Sequence, residues 1–291
     1  MPSPKFIQDK IQSIIHLPAM PAIAQEVVDL VENPRTSASR LGRVIESDQG
    51  LTSKVLKIAN SAFYGFPRQI STVDFAIIVL GFDALKEIVI SISLVSALQK
   101  KHDESFDAKG FWDHAIYSAV IARRLARDLG YRVSGEVFVG ALLHDMGISV
   151  LHQHFNDEYR KILSTIEQSH LTFLEAEQEI LGVTHAEVGG WLAERWNFPR
   201  QLVEAIAMHH RPLQAEENPE LVSIIHCADV LANRLHPPLA VFDTGLDFQP
   251  DVLQRVGLED PLVLEQYITT YRSIIEADLQ QFQSFAQGEQ G

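Results

Sequence analysis

The chain has 291 residues, with 24 Lys+Arg against 38 Asp+Glu and a formal net charge of −14. That balance excludes a general nucleic-acid binder or an anionic-membrane binder, because both affinities come from Lys and Arg neutralising phosphate groups. A hydrophobic content of 46% supports a sizeable core, the length suggests about two domains, and the single Cys227 leaves no internal disulfide and no thiolate cluster.

In chain order, the N-terminal segment Met1 to Lys10 is polar and charged where a secretory leader would be apolar. Leu51, Val55, Leu56 and Ala59 predict a helix ended by Asn60-Ser61, with Tyr64-Gly65 and Pro67 as the following turn. Ile88 to Leu94 alternates like a strand, yet Leu85, Ile88, Ile92 and Val95 keep helical spacing, and the segment is predicted helical. It is also far shorter than a membrane span. The polar run Gln99 to Gly110 reads as a linker.

Beyond it, Phe111, Ala115, Ser118, Ala122, Leu125 and Leu129 recur at helical steps, as do Leu221, Ile224, Ala228, Leu231 and Leu235. Thr184 and Glu187 have capping-box spacing, Pro199 opens a helix, and Pro212 closes the one bearing His209 and His210. After His236-Pro237-Pro238 comes an irregular stretch, then one long helix from Leu262 to Phe285 and a frayed tail, Gln287 to Gly291. The expected architecture is all-α: an N-terminal bundle over 1–100, a second helical unit over 110–238, and a C-terminal helical extension over 239–291.

Seven side chains in the second half are nitrogen or oxygen donors at inward-facing or interrupting positions: His114, His144, Asp145, His185, His209, His210 and Asp229. His144-Asp145 interrupts the apolar run Val137 to Leu143, and Asp229 lies one turn beyond Ile225. Burying so many polar groups without partners is costly, and a cation is their natural common partner. Each also has a plainer explanation. Histidines at a helix C-terminus suit the negative end of its dipole, Thr184 to Glu187 is explained by capping, and Asp145 suits any buried donor. With no thiolates, the donor set fits one or two ions of Fe, Mn, Zn or Mg, and Asp145 is placed to bridge a pair.

At these residues the chain resembles the HD superfamily, with its His … His-Asp … Asp pattern, and most closely its HDOD (HD-related output domain) branch. The likeness runs from Leu17 to Leu235. It rests on Leu17-Pro18-Ala19-Met20-Pro21, Val44 to Asp48, Leu51 to Gly65, Ala76 to Gly81, Trp196-Asn197-Phe198-Pro199 and His209-His210-Arg211-Pro212. The resemblance implies a multi-helical fold with an N-terminal bundle followed by an HD-like half. It also implies a signalling role in bacteria, commonly coupled to response regulators, without an established general activity.

In the related HD-GYP cyclic-di-GMP phosphodiesterases, the His-Asp pair is followed by x-Gly-Lys and the paired histidines by Glu. Here Ile148 replaces that Lys and Arg211 that Glu, and no Gly-Tyr-Pro motif occurs. The leading expectation is therefore a cytoplasmic regulatory module acting through contacts with separate signalling proteins, with divalent metal in its HD-like pocket. Asn60 and Tyr64 are its candidate partner-binding residues, although a rigid helix end is the plainer meaning of that motif. The alternative is a metal-dependent phosphohydrolase of a nucleotide or cyclic dinucleotide, with Asp145 and Arg211 as candidate catalytic residues and Arg195 as a further cation. A third expectation is a sensor that binds a nucleotide or phosphate without chemistry. No general nucleic-acid or membrane partner is expected.

Overall fold

The computed structural model describes residues 7, 9, 21–33, 35–60, 68–98, 105–131, 134–169, 171–235 and 246–272. All regular structure among them is helical, and none of their helices is long and apolar enough to cross a membrane. Contacts divide the chain into two compact units, with the first boundary near Pro18 and the main one near Lys100.

One unit is built from α1 (Ala22–Glu32), α2 (Ala38–Glu46), α3 (Gln49–Ala59) and α4 (Val73–Leu98). Ser37 and Asp48 cap α2 and α3 by accepting from the backbone N–H groups of Arg40 and Leu51. Val27, Leu41, Ile45, Val55, Val73, Ala76, Leu85 and Val89 form its core. The segment with strand-like alternation is helix, within α4. That helix is interrupted at Gly81, whose φ of +86° and ψ of 170° suit only glycine, and a Cβ there would meet nothing, so backbone freedom is what the position uses.

Asn60, just past α3, has its side chain committed to the backbone. Its Nδ2 donates to Leu56 O and Ile70 O, at 2.8 and 2.7 Å, and its Oδ1 accepts from Ile70 N at 2.6 Å. These bonds tie the end of α3 to Ile70. Tyr64, Gly65 and Pro67 lie outside the described residues, as do His236 to Pro238, Phe285 and the tail.

The other unit contains α5 (Ala108–Asp128), α6 (Ser134–Leu143), α7 (Met146–His154), α8 (Asn156–Gln168), α9 (Phe173–Leu181), α10 (His185–Arg195) and α11 (Arg200–Met208). It continues through a 3-10 turn at Pro212–Gln214, α12 (Pro219–Leu235), α13 (Pro250–Val256) and α14, helical over 261–272. Its centre is α5 against α12, each buried around nearly its whole girth, from Gly110 to Ala122 and from Leu221 to Ala232. Helices apolar on all sides are interior helices, and here the stripe broadens to fit that position.

The capping box at Thr184 is formed: Thr184 N donates to Glu187 Oε2 at 2.9 Å while Glu187 N donates to Thr184 Oγ1. Two local expectations shift. Pro199 is the residue before α11 rather than inside it, and the helix ends at Met208, leaving His209 as its C-cap and Pro212 at the start of the 3-10 turn. The stretch expected to be irregular after Pro238 contains α13, opened by Pro250 and closed by Gly257 at φ +76°.

A candidate metal centre at the helix ends

The site gathers residues from the interiors of two helices of this unit and from places where others stop or start. His114 comes from α5 and Asp229 from α12, while His144 and Asp145 form the two-residue turn between α6 and α7. His185 is the first residue of α10, and His209 and His210 follow α11. Close backbone approach brings these ends together: a Cβ on Gly147 would lie 2.0 Å from the carbonyl oxygen of His185, and one on Gly189 would lie 2.9 Å from Ile206. Only glycines let α7, α10 and α11 pack at this distance.

The seven donors fall into two groups, Asp145 with His185, His209 and His210, and His114 with His144 and Asp229. In the first-named group, Asp145 Oδ1 lies 3.1 Å from His185 Nε2 and 3.4 Å from His209 Nε2, and His185 Nε2 lies 3.0 Å from His210 Nε2. In the other, His114 Nε2 is 3.1 Å from Asp229 Oδ1 and 3.4 Å from His144 Nε2. The second oxygen of Asp145 faces this group, with Oδ2 3.2 Å from His144 Nε2 and 3.8 Å from His114 Nε2. Asp145 thus stands between the two, one oxygen to each.

Local chain geometry fixes the rings. His144 Nδ1 lies 2.6 Å from Ala141 O, and His209 Nδ1 lies 2.7 Å from Ile206 O, each a carbonyl left free in the last turn of its helix. A carbonyl can only accept, so Nδ1 carries the proton in both. His185 Nδ1 donates to Glu177 Oε2 at 2.8 Å, and the same oxygen accepts from the His185 backbone N–H at 3.0 Å. Gly182, at φ +71°, ends α9 and turns the chain so that His185 returns to a side chain one helix back. In its neutral form each of these rings aims an Nε2 lone pair inward, the arrangement that outer hydrogen bonds impose on metal-binding histidines.

That arrangement is a test of fit. Lone pairs 3.0–3.4 Å apart, or facing a carboxylate, repel unless a proton or a cation sits among them. Both Asp145 oxygens and His209 Nε2 are buried without an acceptable hydrogen bond. In the metal-free protein, protons do this work. Burial opposes charge on His144, but Asp145 and Asp229 hold it well above its ordinary value. Burial likewise opposes charge on His185, which Glu177 and Asp145 nevertheless push up to about 10. His209 and His210 are depressed, chiefly by burial, and Asp145 and Asp229 stay well below the usual carboxylate range against the opposing effect of burial. The donor set fits divalent cations, which would replace those protons.

Other predicted residues stand apart. Arg211 Nη2 pairs with Glu187 Oε1 at 3.3 Å on the half-exposed surface, and Arg195 is exposed. Ile148 is fully buried. Two residues that hold the candidate donors escaped sequence reasoning. Glu177 looks like a surface residue in the acidic run Leu174 to Glu179, yet it sits four residues after Phe173 and four before Leu181, on the inward face. His226 Nδ1 donates to His209 O at 2.8 Å, holding the histidine turn, and its spacing of three residues before Asp229 was the available signal.

The HDOD domain model matches residues 17–212, and the chain belongs to the HDOD family. Asp229 lies beyond the matched range. An uncharacterised protein of Treponema pallidum (strain Nichols) is 29% identical over 235 residues, covering 77% of this chain, which spans only 43% of that protein's length. A solved HDOD domain protein of unknown function from Geobacter sulfurreducens is 26% identical, with a TM-score of 0.77, over 94% of this chain and 95% of that one. A protein from Shewanella amazonensis SB2B, named provisionally as a phosphohydrolase, shares the fold at 24% identity and a TM-score of 0.73, covering 97% of each chain.

Proposed function

We propose that this HDOD protein is a signal-transduction module that acts through contacts with other proteins and holds one or two divalent cations in its HD-like unit. The observation that carries the metal part is Asp145, buried between two groups of histidines with one oxygen toward each. His114, His144, Asp229 and Asp145 Oδ2 would hold one ion, and Asp145 Oδ1, His185, His209 and His210 the other. Mixed imidazole and carboxylate donors suit Fe, Mn, Zn or Mg. The signalling part rests on family membership, and the cytoplasm is its proposed compartment.

A phosphohydrolase of a nucleotide or cyclic dinucleotide is the second reading, and the bridging position of Asp145 favours it. A pair of ions would supply a water acidic enough to attack phosphorus at neutral pH. The protein's own contribution argues against efficient turnover. The position that is Lys in the HD-GYP pattern is the buried Ile148, and Arg211 is already paired with Glu187. Six of the seven donors are buried, and His210 alone is partly open. The proposed role of this chain's residues is to bind, orient and seal.

Elemental analysis of protein purified without chelator, followed by the same measurement on Asp145→Ala, tests the metal reading. Metal in the wild type and its loss from both groups in the variant is the expected result. Absence of metal from the wild type, even after reloading, defeats it. A bis-p-nitrophenyl phosphate assay of the loaded protein separates the two readings, since robust turnover lost in Asp145→Ala would establish the hydrolase.

A further inference from the structure

The two groups of donors are unequally provided with charge. The His114–His144 group has Asp229 to itself besides its share of Asp145. The His185–His209–His210 group has only Asp145, whose other oxygen faces His144 of the first-named group. Behind it stands Glu177, fully buried, whose Oε2 accepts from both the backbone N–H and the Nδ1–H of His185.

The other inward-aimed rings are held differently. His144 and His209 donate to backbone carbonyls, which orient a ring but carry no net charge. A carboxylate in the same place orients the ring and also makes its far nitrogen more electron-rich, strengthening any bond that nitrogen makes to a cation. We infer that Glu177 is a positioning residue of the second cation site, adding through His185 negative charge to a group whose one direct carboxylate, Asp145, is shared. With it, each group has one private carboxylate and a share of Asp145.

The inference rests on the metal reading above, and the test separates the two. Co²⁺ is titrated into the metal-free full chain and into Glu177→Gln, followed by calorimetry and by the visible absorption of bound Co²⁺. Gln has the shape of Glu and keeps an acceptor for His185 while removing the charge. Wild type should bind two equivalents. Glu177→Gln should keep one at wild-type affinity and bind the other about 10–100-fold more weakly, as loss of an outer-shell partner does. The equivalent retained by the His114–His144 group reports that the variant is folded, and Glu177→Ala should weaken the same equivalent at least as much. Two unchanged equivalents in Glu177→Gln, or equal weakening of both, overturns the role of Glu177 and leaves the metal reading standing. A wild type that binds no Co²⁺ overturns both.

Discussion

Gly147 and His185 touch through backbone: a Cβ on Gly147 would stand 2.0 Å from the carbonyl oxygen of His185 and 2.8 Å from Gly189 N. The atoms it would strike are main chain, so no side chain can swing away. Gly147→Ala must push α7 from α10, and with it Asp145 from His185. The expected cost is about 3 kcal/mol, the upper part of the range for overpacking a rigid site, read as a lowered urea midpoint. Metal held by the His185 group should be lost as well, and a variant of wild-type stability and metal content would contradict the packing account.

Asn60→Ala removes the clasp on Ile70 and leaves Ile70 N–H without its acceptor. A loss of about 2 kcal/mol from the N-terminal unit is expected, from two broken bonds to Ile70 and one group left unsatisfied. Hydrogen exchange at the Ile70 amide should rise. Unchanged exchange and stability would return Asn60 to the partner-binding role suggested by its motif.

The pH dependence of stability should differ between metal-free and metal-loaded protein. His144 is held well above its ordinary value and His185 near 10, so their stabilisation is complete below about pH 6.5 and is lost as pH rises toward 10. Asp145 and Asp229 have depressed folded values, so theirs is present above about pH 4 and is lost on acidification. His209 and His210, also depressed, cost stability only below about pH 6.5. From neutral pH upward the metal-free protein therefore weakens. A bound cation needs neutral imidazoles, so it gains over the same window. Thermal melts with Zn²⁺ and with EDTA between pH 6.5 and 8.5 should show a widening gap, and a constant or narrowing gap would count against cation binding.

Cys227 is fully buried on α12, and burial pushes its thiol up to about 12. At pH 8 the thiolate is then about one part in ten thousand, and the sulfur is inaccessible besides. Native protein should not react with a thiol reagent over hours and should take up one equivalent in guanidinium chloride. Rapid native labelling would mean that α12, and Asp229 with it, opens readily.

The helical class, the capping box at Thr184 and the seven candidate donors were legible without the tertiary structure, because each is written in local spacing or in residue type. The family was legible for the same reason, in contiguous motifs such as Leu51 to Gly65. Spacing could not say that His209 caps a helix rather than sitting inside it, since a helix end is settled by which carbonyls find partners. It also missed α13, a helix too short to show a period. The grouping of the donors belongs to tertiary structure alone. Two oxygens of one Asp145 meet rings from three separate helix ends because Gly147 and Gly189 allow their backbones to approach, and Glu177 joins them because Gly182 turns the chain back. A glutamate in an acidic run reveals its burial only when the helix face it occupies is packed, and packing is a property of the whole unit rather than of any segment.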